Sequence, residues 1–291
     1  MGTVWRVSLA APVGFDTAAL RTAIVARLDA IIGEMSHWDA GSWLGRFNTL
    51  QPGRWMALPP DFATVIATGL TAATRLGGAF DPAIGALVDL WGFGPPGPRP
   101  HPDEAEIAAA RACSGWQRLA YDPAARRLLQ PGGLRLDLSG IAKGFAVDAL
   151  ATLIARQGHG HFLVEIGGEL AGRGMRPDGD PWWVELETPG DGLAPIRVAL
   201  HQLAVATSGD YVRGAHTIDP RSGHPAQAGV VAVSVLHASA MWADVWASAL
   251  AVLGADDGLR LAADEGLAAR IVTRAEDGLH ETISPALAAM L

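Results

Sequence analysis

Cysteine is all but missing from this sequence. Cys113 is the only one in 291 residues, which excludes an internal disulfide and a cysteine-based zinc centre and leaves the compartment open. Concentrated basic charge is missing too. Lys and Arg number 22 against 30 Asp and Glu, the net charge is −8, and no basic cluster occurs. Nucleic acid is therefore not an expected partner, because phosphate-backbone binding rests on clustered Lys and Arg. No apolar run reaches the roughly 18 residues of a membrane span, and Met1-Gly-Thr-Val-Trp-Arg-Val-Ser-Leu9 lacks the basic region and long apolar core of a signal peptide. As written, the chain reads as cytoplasmic, and as periplasmic if an export signal or lipoprotein leader has been removed. No linker, charge run, internal repeat or low-complexity segment divides it, and the Pro-rich Gly94-Pro-Pro-Gly-Pro-Arg-Pro-His-Pro102 reads as a surface loop. The length suits one large domain or two intimately packed lobes. A Gly-x-x-x-x-Gly-Lys-Ser/Thr loop is absent, and Gly167-Gly-Glu-Leu-Ala-Gly-Arg-Gly174 does not match Gly-x-Gly-x-x-Gly after a strand. Any nucleotide must be held in another way.

What the sequence does carry is periodic. Residues 3–10 alternate as a strand does, and Leu20, Ile24, Leu28, Ile31 and Met35 mark one stripe of an amphipathic helix beginning near Asp16. A second helix is expected from Asp61, after Pro59-Pro60, to the stop at Gly77-Gly78. A short one is expected over residues 103–112. Arg118-Leu-Ala-Tyr121 and Arg127-Leu-Leu129 read as paired strands around Asp122-Pro123. Further strands are expected at Phe162-Leu-Val-Glu-Ile166, Trp182-Trp-Val-Glu-Leu186, Ile196-Arg-Val-Ala-Leu200 and Val230-Val-Ala-Val-Ser-Val235. Residues 239–253 read as a helix ended by Gly254, and Glu276-Asp-Gly278 is a hairpin signal between two strands. This mixture of hairpins and helices favours an α+β fold over a doubly wound one.

Chemistry concentrates in a few stretches. Leu134-Arg-Leu136 followed by Asp137-Leu-Ser-Gly-Ile-Ala-Lys-Gly-Phe-Ala-Val-Asp148 reads as a strand, a tight turn and a helix start. The first N–H groups of a helix have no internal partners and the positive end of its dipole faces outward, so an anion such as phosphate is favoured there. Gly140 would let a ligand approach the backbone and Lys143 would add charge; an ordinary turn capped by Asp137 fits the same residues. Met35-Ser-His-Trp-Asp-Ala-Gly-Ser-Trp-Leu-Gly-Arg-Phe-Asn48 loses the helical period and reads either as a packed loop or as a wall for a planar ligand, and Leu87-Val-Asp-Leu-Trp-Gly-Phe-Gly94 supplies more aromatic surface. Asp244 and Ser248 stand four apart in a helical stretch, so their Cβ atoms lie roughly 5–6 Å apart on one face. Both are hard oxygen ligands that suit Mg²⁺ beside a diphosphate, and both also suit a plain polar stripe. Thr207-Ser-Gly-Asp-Tyr211 and His216-Thr-Ile-Asp-Pro-Arg-Ser-Gly223 gather hydroxyls, a histidine and turn residues. His216 is a candidate acid or base, because the unperturbed pKa of a histidine side chain lies near neutrality. His159 and His161 read as loop residues.

Together with Gly78-Ala-Phe-Asp-Pro82, Leu90-Trp-Gly-Phe-Gly94, Ile166-Gly-Gly-Glu169 and Ala206-Thr-Ser-Gly-Asp-Tyr211, these segments fall in one order across positions 1–248. In that order they resemble the FAD:protein FMN transferases, the ApbE-like family. The resemblance implies an α+β, T-fold-like architecture of mixed or antiparallel sheets packed with helices, one large two-lobed domain over residues 1–291. It implies Mg²⁺ as cofactor and FAD as donor of an FMN group. The acceptor would be a Ser or Thr hydroxyl of a target flavoprotein or electron-transfer protein, joined through a phosphodiester with release of AMP. Carried over position by position, it assigns FAD contacts to Met1, Trp38, Ala79, Phe80, Asp81, Asp137, Lys143 and Ile218. Mg²⁺ falls to the Gly140 carbonyl, Asp244 and Ser248, with His216 and Asp244 as catalytic residues and His216 helping to deprotonate the acceptor. Trp38 stands where relatives usually carry Tyr, and Ser248 where they usually carry Thr. An Mg²⁺-dependent FAD pyrophosphatase and a non-catalytic flavin-binding protein are the alternatives.

Overall fold

A computed structural model describes residues 3–190, 192–209, 216–226 and 229–291. In chain order its first elements are β1 (Trp5–Leu9), α1 (Ala18–Met35), α2 (Trp43–Asn48), β2 (Trp55–Ala57), α3 (Pro60–Arg75), α4 (Gly85–Leu90), α5 (Glu104–Cys113), β3 (Ala120–Asp122) and β4 (Arg127–Leu129). Then come α6 (Ala142–Arg156), β5 (Phe162–Ile166), β6 (Glu169–Arg173), β7 (Trp182–Glu185), β8 (Arg197–Leu200), β9 (Leu203–Ser208) and β10 (Val230–His237). The chain closes with α7 (Ala240–Leu253), α8 (Ala255–Asp264), β11 (Ala268–Ala275), β12 (Gly278–Ile283) and α9 (Pro285–Ala288). This is an α+β fold, and it divides into two compact units. The first comprises Met1–Asp29, Gly140–Gly214 and Gln227–Leu291; the second comprises Ala30–Ser139 and Ala215–Ala226.

The first unit is built on a seven-stranded sheet in the order β1-β5-β6-β9-β10-β11-β12, antiparallel at every pairing. Alternation sets its buried face: Phe162, Val164 and Ile166 of β5 are all inside. The β5–β6 turn is Gly167-Gly168, with φ of 60° and 102°, the left-handed pair that a two-residue hairpin demands. The Gly-rich stretch that fails as a dinucleotide loop is thus a hairpin, and it aligns Glu169 opposite Ile166. The separate β7–β8 ribbon closes a core of Trp182, Val184, Leu186, Val198, Leu200, Val205, Leu236, Ala268 and Leu287. Each fully buried side chain of this kind stabilises by about 1.5–3 kcal/mol. Helix α7 starts at the Ser239 cap, which accepts the Trp242 N–H, and stops at Gly254 with φ 85°, as the sequence predicts.

The second unit is helical around a small sheet of order β2-β4-β3. Helix α3 has Pro60 in its first turn with Asp61, and Arg75 in its last, complementing the dipole at both ends. Helix α5 opens with a capping box between Asp103 and Glu106. The whole expected stripe of α1 is buried, from Leu20 to Met35.

Two expectations need correction. The stretch over residues 35–48 is not all loop, because its last six residues form α2 behind the Ser42 cap. Leu134-Arg-Leu136 joins no sheet. Asn48 Oδ1 accepts the Leu136 N–H at 2.7 Å and its Nδ2 donates to the Leu136 carbonyl at 3.0 Å, while Gln130 Nε2 donates to the Leu134 carbonyl and the Gly85 N–H to the Arg135 carbonyl. Side-chain amides and a single loop N–H do there what a neighbouring strand would do.

Candidate functional site

In the first unit the chemistry gathers where α6 and α7 begin. Gly144 leaves no room on its α7 side: an added Cβ would strike the Ala240 carbonyl and come within 2.7 Å of Met241 Cα. Only glycine lets the two backbones approach so closely. Through that approach Asp244 Oδ2 accepts the Gly144 N–H at 3.0 Å. The helix end that the sequence offers to a phosphate therefore already holds a carboxylate. Asp137 does not cap it; Asp137 Oδ1 accepts from the Ser139 N–H at 2.8 Å and from the Ser139 hydroxyl.

Lys143 forms an ion pair with Glu169, whose side chain is almost wholly enclosed. Burial pushes the Glu169 carboxyl up to about 8, against the pull of Lys143. It raises Asp244 as well, against Lys143 and the Gly144 N–H. Burial pulls the Lys143 ammonium down, but Asp244 and Glu169 outweigh it and the net shift is upward. Glu169 Oε2 is buried without a hydrogen-bond partner. Two enclosed carboxyls thus share a single ammonium, and the cluster is short of positive charge. Ser248, one turn beyond Asp244 on α7, is half-buried. Among the described residues no three of His, Cys, Asp or Glu are grouped to hold a metal. A lone carboxylate with a hydroxyl and a carbonyl is the kind of set that suits Mg²⁺, which keeps water and takes substrate phosphates. The residues fit that ion, and the unpartnered Glu169 oxygen marks where positive charge is wanted.

In the second unit, Asp81 is enclosed, with Oδ1 accepting the Ala83 N–H at 2.7 Å and Oδ2 the Trp116 N–H at 3.0 Å. Burial raises its carboxyl to about 6 against those two bonds. It borders a cleft of about 480 Å³ that Gly78, Arg111, Trp116 and Arg221 also line. Asp137 is tied to the same segment, its N–H donating to the Pro82 carbonyl at 3.0 Å. His37 Nδ1 stands 3.4 Å from Asp137 Oδ2, and the Asp89 carboxyl, raised by burial against Arg135, pairs with Arg135 at 2.6 Å.

Trp38 is 60 % exposed beside His37, open enough to stack on a planar ring. Ala79, Phe80 and Ile218 are buried. Ile218 bridges Pro225 in a short antiparallel turn, and His216 stands at its start, edge-on to Phe93 at 6.2 Å between ring centres. Met1, Asp210 and Tyr211 lie outside the described residues. Lys143, Asp244 and Ser248 thus lie in the first unit, and Trp38, Asp81, Asp137, His216 and Ile218 in the second.

Sequence reasoning missed Glu169 as a partner of Lys143 and His37 as a partner of Asp137. A signal for the first was present: alternation along β6 puts Glu169 on the same face as Ala171, and a carboxylate on a strand's buried face calls for a partner.

The model of the ApbE family matches residues 1–271. The FAD:protein FMN transferase of Klebsiella pneumoniae is 35% identical over 302 residues, covering 98% of this chain and 85% of that one. The protein of the same name from Escherichia coli K12 is 33% identical over 299 residues, with the same coverage. Among solved structures, the flavin transferase ApbE from Vibrio cholerae matches with a TM-score of 0.93 at 34% identity, over 100% of this chain and 96% of that one. The apo form of the Pseudomonas stutzeri flavinyl transferase ApbE matches with a TM-score of 0.90 at 34% identity, over 99% and 96%.

Proposed function

This chain belongs to the ApbE family, and we propose that it is an FAD:protein FMN transferase that moves FMN from FAD onto a Ser or Thr hydroxyl of a protein acceptor. The acceptor is a flavoprotein or electron-transfer protein. In the reaction the acceptor oxygen forms a new bond to the FMN phosphorus. The diphosphate bridge breaks, and its electron pair leaves with AMP. The acceptor proton goes to His216, from which it can pass to the departing phosphate.

Roles follow the chemistry of each group. Trp38 offers its open face to the isoalloxazine ring. Met1, Ala79, Phe80, Asp81, Asp137 and Ile218 make the remaining contacts to FAD. Lys143 supplies charge to the diphosphate, and Glu169 holds its ammonium in place. Asp244, Ser248 and the Gly140 carbonyl hold Mg²⁺. When bound there, the ion supplies Lewis-acid neutralisation of charge on the diphosphate. The observation that carries this reading is the enclosed trio of Lys143, Glu169 and Asp244, two carboxyls to one ammonium. Carboxyls raised by burial take either a proton or a cation, and the unpartnered Glu169 Oε2 leaves room for the second.

The test is mass spectrometry after incubation with FAD, Mg²⁺ and a candidate acceptor. A covalent FMN adduct on the acceptor together with AMP is the expected result. Free FMN plus AMP would mean that water is the acceptor, and unchanged FAD with every acceptor tried would refute catalysis.

A further inference from the structure

We infer that Asp148 is a positioning residue for the metal-holding carboxylate of Asp244, acting through the first turn of α7. The inference rests on the assignment of Mg²⁺ to Asp244 given above. Asp148 Oδ1 accepts the Ala240 N–H at 2.9 Å, and Oδ2 accepts the Met241 N–H at 3.0 Å and the Ser239 hydroxyl at 2.6 Å. The same Ser239 Oγ accepts the Trp242 N–H at 3.3 Å. All three opening N–H groups of α7 thus end on Asp148 or on a hydroxyl that Asp148 holds. In return, Asp244 takes the Gly144 N–H in the first turn of α6.

The arrangement is an exchange. Gly144 and Asp148 are four apart on α6, and Ala240 and Asp244 are four apart on α7. Each helix presents free N–H groups at one end of that turn and a carboxylate at the other, about 6 Å along the axis. Each carboxylate closes the other helix, with a charge-assisted bond roughly twice the strength of a neutral one. Gly144 keeps the backbones close enough for both bonds. Asp148 meets neither the ion nor the substrate in this scheme. It fixes where α7 begins, and Asp244 follows four residues later.

Outer partners that orient a metal ligand typically contribute 10–100-fold in affinity. The experiment measures Mn²⁺ binding by electron paramagnetic resonance, with ADP present to supply a diphosphate and no flavin to transfer. Wild type, Asp148→Ala, Asp148→Asn and Asp244→Ala are compared, and the folded fraction of each is checked by circular dichroism. Asp148→Ala is expected to raise the Mn²⁺ dissociation constant at least about 10-fold, while metal-free FAD affinity stays within about 2-fold. Asp148→Asn keeps one acceptor oxygen and should fall between. If Asp148→Ala does not fold, Asp148→Asn carries the test alone, a loss supporting the inference and wild-type affinity overturning it. Wild-type Mn²⁺ affinity in folded Asp148→Ala, with affinity lost in Asp244→Ala, overturns the inference alone. Wild-type affinity in Asp244→Ala overturns the metal assignment and the inference with it.

Discussion

Replacing Asp81 by Asn should remove the loss of stability that the folded chain suffers as the pH rises from 4 to 7.5. Asp81 is enclosed, and burial raises its carboxyl from 3.8 to about 6 although two backbone N–H groups point at it. The unfolded chain releases this proton near the ordinary value. Between those two values the native state holds a proton that the unfolded state has lost, so stability falls with rising pH. The contribution is fully present below 3.8 and has been lost once the pH passes about 6. A shift of about 2 units at 1.36 kcal/mol each comes to roughly 3 kcal/mol. Asn keeps an acceptor oxygen for one of the two backbone N–H groups and sets its NH₂ against the other, so it loses one hydrogen bond at every pH, but it has no ionisation to resist. The variant should therefore be less stable than the parent at pH 4 and recover up to roughly 3 kcal/mol of that difference by pH 7.5. Urea unfolding followed by tryptophan fluorescence across that range, without flavin or metal, measures the difference. Equal destabilisation of the variant at pH 4 and pH 7.5 would refute the reasoning. If Asp81 contacts FAD as proposed, the variant should also bind FAD more weakly, since strained polar groups are often kept at the expense of stability for function.

His216→Ala should leave FAD affinity nearly unchanged and slow FMN transfer by ~10²–10⁴-fold; an unchanged transfer rate by mass spectrometry removes His216 from the mechanism. Gly85→Ala places a Cβ 2.8 Å from the Leu136 carbonyl oxygen and 2.9 Å from that of Arg135. These are backbone atoms that cannot rotate aside, so thermal unfolding should show a loss of about 1–3 kcal/mol, and a melting point equal to the parent's would mean that the approach is looser than it looks.

The fold was legible wherever the signal is local. The α1 stripe, the Pro60 start of α3, the Asp103 cap of α5 and the Ser239 and Gly254 ends of α7 lie within a few residues of what they decide. The α2 turn was not read, because Trp43-Leu-Gly-Arg-Phe-Asn48 is too short to show a period and its cap, Ser42, sits among other polar residues. Leu134-Arg-Leu136 alternates as a strand does, yet Leu136 bonds to a side chain 88 residues away, Arg135 to the Gly85 N–H and Leu134 to the Gln130 side chain. Alternation reports which face is buried and says nothing about the partner.

The candidate site divides along the same line. Asp244 and Ser248 could be paired from the sequence because helical spacing relates them. Lys143 with Glu169, and Asp148 with the start of α7, are separated by 26 and by 91 to 93 residues. No period spans such gaps. What the sequence holds instead is a conflict of local rules: a carboxylate on the buried face of β6, and an aspartate nearly two turns inside α6 where α6 itself has no use for it. Each conflict costs free energy unless a partner answers it. In both cases the partner lies in the cluster around Asp244, so the residues least explained by their own element are those that build the site.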